Sequence, residues 1–199
     1  MTRLIVWRHG NTDWNAGSRF QGQADIPLND LGRRQAAEAA EALARLAPDA
    51  IVSSDLSRAF ATGTALAGHL GLTIRSDQRL RERFFGDWQG LTTAEIRAAH
   101  PTEHALWTSG ADVVGCGVET LDDLGKRVSE GLQEAVRPGG TVVVATHGGA
   151  ARQGIGHLLG WPAGQIRTLR GMSNCHWADL RHDESRGWQL AAYNVGILP

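Results

Sequence analysis

Leu4-Ile5-Val6-Trp7-Arg8-His9-Gly10 sets the reading of the whole chain. Four consecutive apolar residues are too few for a helix. They fit a strand buried on both faces, as in a parallel sheet covered by helices. The pattern returns late in the sequence, where Thr141–Thr146, the strongest strand signal, runs into His147-Gly148-Gly149. A third short strand, Ala50–Val52, leads through Ser53-Ser54-Asp55 toward a helix. In an open parallel sheet the strand C-termini share one edge, and ligands bind in the crevice there. Two strands that each end in His-Gly bring two histidines to that edge. The glycines behind them are expected to let a ligand approach the backbone closely.

Outward from these strands the chain alternates with helices. Asn29 is a good N-cap for a helix through Leu46, with Leu31, Ala39, Leu43 and Leu46 near helical spacing. Asp55 is placed to cap a second helix, running to about His69 and closed by Gly71. Thr92 and Glu95 form a capping box for a helix that stops before Pro101, and Thr120 with Asp123 opens another to Val136. A further helix is expected from about Ala150 to Leu159, whereas residues 100–118 read as loop. Alternating runs around Cys175–Leu180 and Trp188–Tyr193 predict a hairpin. The expected fold is α/β: three layers, α/β/α, with a mostly parallel central sheet and an antiparallel C-terminal hairpin, in a single domain over 1–199.

Composition narrows the function. The 199 residues carry 20 Lys+Arg against 21 Asp+Glu, a formal net charge of −1, without the basic excess a nucleic-acid binder needs. Strand-sized apolar runs are too short for a membrane span, and Arg8 cuts off any secretory h-region after Arg3. Two cysteines, Cys116 and Cys175, make no disulfide framework, which fits a reducing cytoplasm. Arg8, beside His9, and Arg58, in the first turn after the third strand, converge on the ligand edge. Two guanidinium forks there suit a phosphate.

Arg8-His9-Gly10-Asn11-Thr12 followed by Asn15 resembles the opening signature of the histidine phosphatase superfamily, the phosphoglycerate mutase-like proteins. The resemblance continues in order through Ser53–Ala59, Leu80-Arg81-Glu82, Gly86-Asp87-Trp88-Gln89-Gly90 and Thr146–Gly149. It implies that His9 is a nucleophile forming a phosphohistidine. Arg8, Arg58 and His147 would bind the non-bridging phosphoryl oxygens, and Asn15 would add a neutral hydrogen bond. Gln21 and Gly22 would lie in a segment closing over the phosphate. Glu82 would protonate the leaving oxygen and then activate water. Glu119, in a position resembling the family's Gly-Glu-Ser motif, competes for the acid role. Without the resemblance, Glu82 reads as a solvated ion pair with Arg81 and Arg83.

The reaction implied is hydrolysis of a small phosphomonoester, with no metal or cofactor. The pattern is nearest to actinobacterial members that dephosphorylate glucosyl-3-phosphoglycerate. Mutase-type transfer, a broad-specificity phosphatase, and a non-catalytic phospholigand-binding module are the alternatives. The short segment between Glu82 and His147 favours hydrolysis over mutase chemistry. Relatives are often homodimers, and the sequence leaves the oligomeric state open. Two decoys are set aside. Cys175 and Arg181 match the bare C-x5-R spacing of cysteine phosphatases but lack its glycines, and Pro101 interrupts any regular helix through His100 and His104.

Overall fold

The computed structural model describes residues 2–197. Its strands are β1 (Thr2–Arg8), β2 (Ala50–Ser53), β3 (Ile74–Ser76), β4 (Thr141–Thr146), β5 (Trp177–Asp183) and β6 (Gly187–Val195). They form one six-stranded sheet in the order β3-β2-β4-β1-β5-β6. The pairs β1·β4, β2·β4 and β2·β3 are parallel, whereas β1·β5 and β5·β6 are antiparallel. The long helices are α2 (Asp30–Ala44), α3 (Ser57–Leu70), α6 (Leu121–Ala135) and α7 (Gly148–Leu158), with the single-turn α1 (Asp13–Ala16) before them.

The unbroken apolar run of β1 has a direct cause. Leu4 and Val6 face one layer, packing with Leu124, Val128 and Ile155 of α6 and α7. Ile5 and Trp7 face the other, against Ala36, Ala40 and Leu43 of α2 and Leu66 of α3. All four are fully buried, each contributing about 1.5–3 kcal/mol relative to exposure. Leu31, expected on the inner face of α2, is 45% exposed instead; Gly32 and Ala36 take that face, and at Gly32 the backbone of Asn11, in the loop after β1, leaves no room for a side chain.

Three local expectations need correction. Residues 100–118 are not all loop, since α5 spans Pro101–Ser109 after α4 (Thr93–Ala99). Pro101 occupies the first helical position, where its missing N–H costs nothing, and Gly110 closes the helix in a left-handed conformation. Asp55 does not cap α3. Its carboxylate takes both Nε and Nη2 of Arg81, at 2.7 and 2.6 Å, while Asp25, from a distant loop, accepts from Ser57 N at 2.8 Å. A short helix α8 (Ala163–Ile166) was also not expected. A satellite cluster of Trp88, Ile96, Val113 and Val118, with Phe20 and Trp107 against it, seats α4 and α5 beside the sheet edge.

Candidate active site

Parallel register brings the three strand ends level. Arg8 lies opposite Thr146 and Ser53 opposite Ala145; His9 N then donates to Thr146 O, and Ser54 N to Ala145 O, both at 2.9 Å. His9 and His147 therefore face each other, ring centroids 5.2 Å apart at 60°. Gly10 is a glycine for a different reason than expected. A Cβ there would collide with the Gly32 carbonyl, and one on Gly32 would collide with Asn11 O. The loop after His9 rests backbone to backbone on the start of α2, so the glycine serves packing.

His9 is 3% exposed, and its Nδ1 is 2.7 Å from Gly10 O. A carbonyl only accepts, so Nδ1 carries the proton and Nε2 keeps its lone pair. Burial, then the charges of Arg8 and Arg58, hold this imidazole well below its ordinary range, hence neutral. His147, fully buried, is lowered in the same direction by burial first, then by Arg58, His9, Arg8 and Arg127. Its Nε2 lies 2.9 Å from Ser54 Oγ, and its Nδ1 has no partner among the described residues.

Arg58 is fully buried and donates to Gly22 O at 2.7 Å and Ala24 O at 2.8 Å. Arg8 donates to Met172 O. Among the described residues both make hydrogen bonds only to backbone carbonyls, and the Nε of each is buried without a partner. Burial lowers Arg8 below the usual arginine range and brings Arg58 to about 10. Buried Arg58, partly buried Arg8 and two neutral imidazoles, with no carboxylate in contact with either cation among the described residues, make a centre suited to an anion.

Glu82 sits on the N-terminus of α7. Its Oε1 accepts from Ala150 N at 2.9 Å and Arg83 N at 2.8 Å, and its Oε2 from Gly149 N at 3.0 Å. Gly149 makes this contact feasible, since a Cβ there would lie 2.5 Å from Oε1. The ion pair with neighbouring arginines does not form: Arg81 goes to Asp55, and Arg83 Nε donates to Glu119 O at 2.7 Å. Glu119 places its oxygens on Arg127 Nε at 2.6 Å, Arg127 Nη2 at 2.9 Å and Phe84 N at 3.0 Å.

Of the remaining expected residues, Asn15 closes a capping box with Thr12 at α1, its Oδ1 also accepting from Asn174 Nδ2 at 3.3 Å. Gly22 is tied to Arg58, and Gln21 is buried with Oε1 unpartnered. Sequence reasoning missed Ser54, the hydroxyl on His147, and Arg127. The Arg127 guanidinium also donates to Arg79 O, Arg81 O and Glu82 O at 2.8, 2.7 and 2.8 Å, gripping the loop that carries Glu82. The available signal was a lone arginine bordering the apolar stripe Leu124–Val128–Leu132 of α6.

The C-x5-R decoy is a strand here. Cys175 is buried, its thiol pushed up to about 12, and the following residues form β5. Among the described residues, one cluster has metal-donor spacing, His100, Glu103 and Cys116, with His100 Nδ1 3.3 Å from Cys116 Sγ.

A family model for the histidine phosphatase superfamily, branch 1, matches residues 4–196. The chain belongs to the histidine phosphatase superfamily. It is a phosphatase of that superfamily, acting on phosphoric monoesters. It is 40% identical to a glucosyl-3-phosphoglycerate phosphatase of Mycobacterium tuberculosis, over 97% of this chain and 94% of the relative. A solved mycobacterial glucosyl-3-phosphoglycerate phosphatase complexed with VO3 superposes at a TM-score of 0.90, with 40% identity over 98% of this chain and 100% of that one. A mutant phosphoserine phosphatase from Entamoeba histolytica in complex with phosphoserine matches at 0.85, 26% identical over 98% of this chain and 97% of that one. As in the sequence reading, no helix among the described residues is long and apolar enough to cross a membrane.

The electrostatics of this histidine phosphatase predict an acid-sensitive fold. His9 and His147 are lowered in the folded chain, so the unfolded chain binds more protons once the pH falls below the free imidazole value of about 6.5. Stability is then fully present above that pH and is lost as the pH drops through it. Asp55 and Asp77, lowered by Arg81 and Arg79, act only in a more acidic window, below about 3.8. Urea unfolding at pH 7.5 and 5.5 should show a lower midpoint at 5.5. The difference should shrink in a variant carrying His9→Gln and His147→Gln; an undiminished difference refutes the assignment.

Proposed function

We propose that this phosphatase hydrolyses a small phosphorylated metabolite through a phosphohistidine on His9, with glucosyl-3-phosphoglycerate as the first substrate to test. The observation that carries the mechanism is a neutral, buried His9 with its Nε2 free, beside the buried Arg58 and the partly buried Arg8, whose partners among the described residues are backbone carbonyls. The substrate reading is supported by the name carried by the mycobacterial relatives at 40% identity.

In the first step Nε2 of His9 forms a bond to phosphorus as the bond to the leaving oxygen breaks. Arg8 and Arg58 stabilise the negative oxygens. With the Ser54 hydroxyl donating to Nε2 of His147, that ring keeps its proton on Nδ1, the unpartnered atom, as a further donor. Glu82 gives its proton to the leaving alcohol. In the second step the Glu82 carboxylate takes a proton from water, whose oxygen displaces His9 from phosphorus and yields inorganic phosphate. Glu119 and Arg127 hold the acid-bearing loop and take no proton.

Phosphate release from glucosyl-3-phosphoglycerate, 3-phosphoglycerate and p-nitrophenyl phosphate, with a mutase assay alongside, tests this reading. The expected result is hydrolysis led by glucosyl-3-phosphoglycerate. Even rates across the panel would mark a broad-specificity phosphatase. Interconversion of phosphoglycerates without phosphate release would replace hydrolysis by mutase transfer, and tight binding with no turnover would leave a phospholigand-binding module.

A further inference from the structure

The i,i+4 pair His100 and His104 gives way in the structure to a different grouping. His100 sits at the junction of α4 and α5, closing one helix and opening the other. Pro101 starts α5, and Glu103 follows in its first turn, at the same end of the helix as His100. His104 lies against Trp107 instead, ring centroids 5.9 Å apart. The third member of the group comes from the loop after α5, where Cys116 Sγ lies 3.3 Å from His100 Nδ1. One donor atom from each of His100, Glu103 and Cys116 lies within 4.8 Å of the other two. Glu103 Oε1 borders Gly115, so the carboxylate faces the cysteine loop, and it forms no salt bridge among the described residues.

The loop is shaped around that thiol. Gly115, Cys116 and Gly117 all have positive φ, at 98°, 55° and 65°. Glycine meets that requirement without strain, and cysteine rarely adopts it. The middle residue therefore keeps a side chain against the preference of its own backbone. Its carbonyl accepts from Asp87 N at 2.9 Å, and a Cβ on Gly86 would overlap the same oxygen, so the two turns lock together. Cys116 also packs against the cluster of Trp88 and Val118, which fixes the sulfur from the inner side. All three donor residues are half-buried, so an ion reaches them from solvent.

We propose that His100, Glu103 and Cys116 form a binding site for a zinc-like divalent cation, which clamps α5 to the loop that follows it. Thiolate, imidazole and carboxylate together favour Zn²⁺ over Mg²⁺ or Ca²⁺, whose ligands are oxygens. In a tetrahedral zinc site, sulfur at about 2.3 Å and nitrogen at about 2.0 Å from the ion stand about 3.5 Å apart. The 3.3 Å between Cys116 Sγ and His100 Nδ1 is close to that spacing before any ion enters. Rotation of the Glu103 side chain brings in the third ligand, and water takes the fourth position. As the Zn–S bond forms, the thiol proton leaves to solvent, and thiolate and carboxylate then balance the two charges of the ion. The site shares no residue with the phosphoryl-transfer centre and does not depend on the phosphatase reading. It reaches that centre through packing alone. Trp88 and Phe20 meet edge to face at 5.9 Å, and Phe20 leads into Gln21 and Gly22, whose carbonyl holds Arg58.

Calorimetric titration of the chelator-stripped protein with ZnCl₂ should show one equivalent bound. Co²⁺ in its place should give a sulfur-to-cobalt charge-transfer band together with the visible bands of a four-coordinate ion. Cys116→Ser should abolish the charge-transfer band and weaken Zn²⁺ binding by about a hundredfold or more, whereas Glu103→Gln should weaken binding and keep the band. His9→Ala should bind as the wild type does, which separates this site from the two catalytic histidines. At a hundredfold excess over Kd, Zn²⁺ should raise the thermal midpoint of the wild type by about 5 °C or more and leave that of Cys116→Ser unmoved. Glu103→Gln changes a half-buried carboxylate at a helix end, so it keeps the test decisive should Cys116→Ser fail to fold. Lack of stoichiometric binding, a cobalt spectrum without sulfur, or wild-type affinity in either variant overturns the site.

Discussion

Replacing His9 by alanine is expected to lower phosphate release by at least about a thousandfold while the fold survives. The loss is large because nothing nearby substitutes for the nucleophile. The Cys175 thiol is buried and pushed up to about 12, and the Ser54 hydroxyl is engaged by His147. The fold survives because the loop is held through its backbone. His9 N donates to Thr146 O, and His9 O accepts from Asn174 Nδ2 at 3.0 Å and Cys175 N at 3.3 Å, contacts that alanine keeps. Rapid quench with a radiolabelled phosphomonoester should trap an acid-labile phosphoenzyme in the wild type and none in His9→Ala. A labelled variant would show that the phosphoryl group is carried elsewhere.

Glu82→Gln should slow turnover of alkyl phosphates by roughly a hundredfold or more while leaving phosphate affinity nearly unchanged. Glutamine keeps the size, and with its carbonyl oxygen in the Oε1 position it still accepts from Ala150 N and Arg83 N, losing the bond from Gly149 N, so two of the three contacts that seat this residue at the α7 N-terminus remain. What it lacks is the proton to give and the base to regenerate. Substrates should separate the two losses. p-Nitrophenolate leaves without help, so its departure should stay fast in a burst, and hydrolysis of the phosphohistidine should become the slow step. Near-wild-type turnover in this variant would move the acid role to Glu119.

The legible and illegible parts of the molecule divide by the range of the interaction. β1 and β4 were readable because burial on both faces forces a continuous apolar run, and the residues after such runs reach the ligand edge wherever the intervening chain goes. His9, His147 and Arg8 follow from that alone, and Arg58 from its place in the first turn after β2. Asp25 on Ser57 and Arg127 on the Glu82 loop had no comparable signal: each joins segments whose meeting only the assembled layers decide. Gly10 was recognised as special for the wrong reason, since the partner excluding its side chain is Gly32, in another element. α5 was hidden because its proline and glycine, normally loop markers, sit at the two helix ends that tolerate them.

The guanidinium groups of Arg8 and Arg58 have one more effect, on regulation. A centre that holds one buried and one partly buried cation, with no contacting carboxylate among the described residues, is relieved by any phosphate dianion, including the one just released. The enzyme should therefore be inhibited by its own product. Ambient inorganic phosphate would then set the working rate, slowing turnover when phosphate is plentiful and freeing the enzyme when it is scarce.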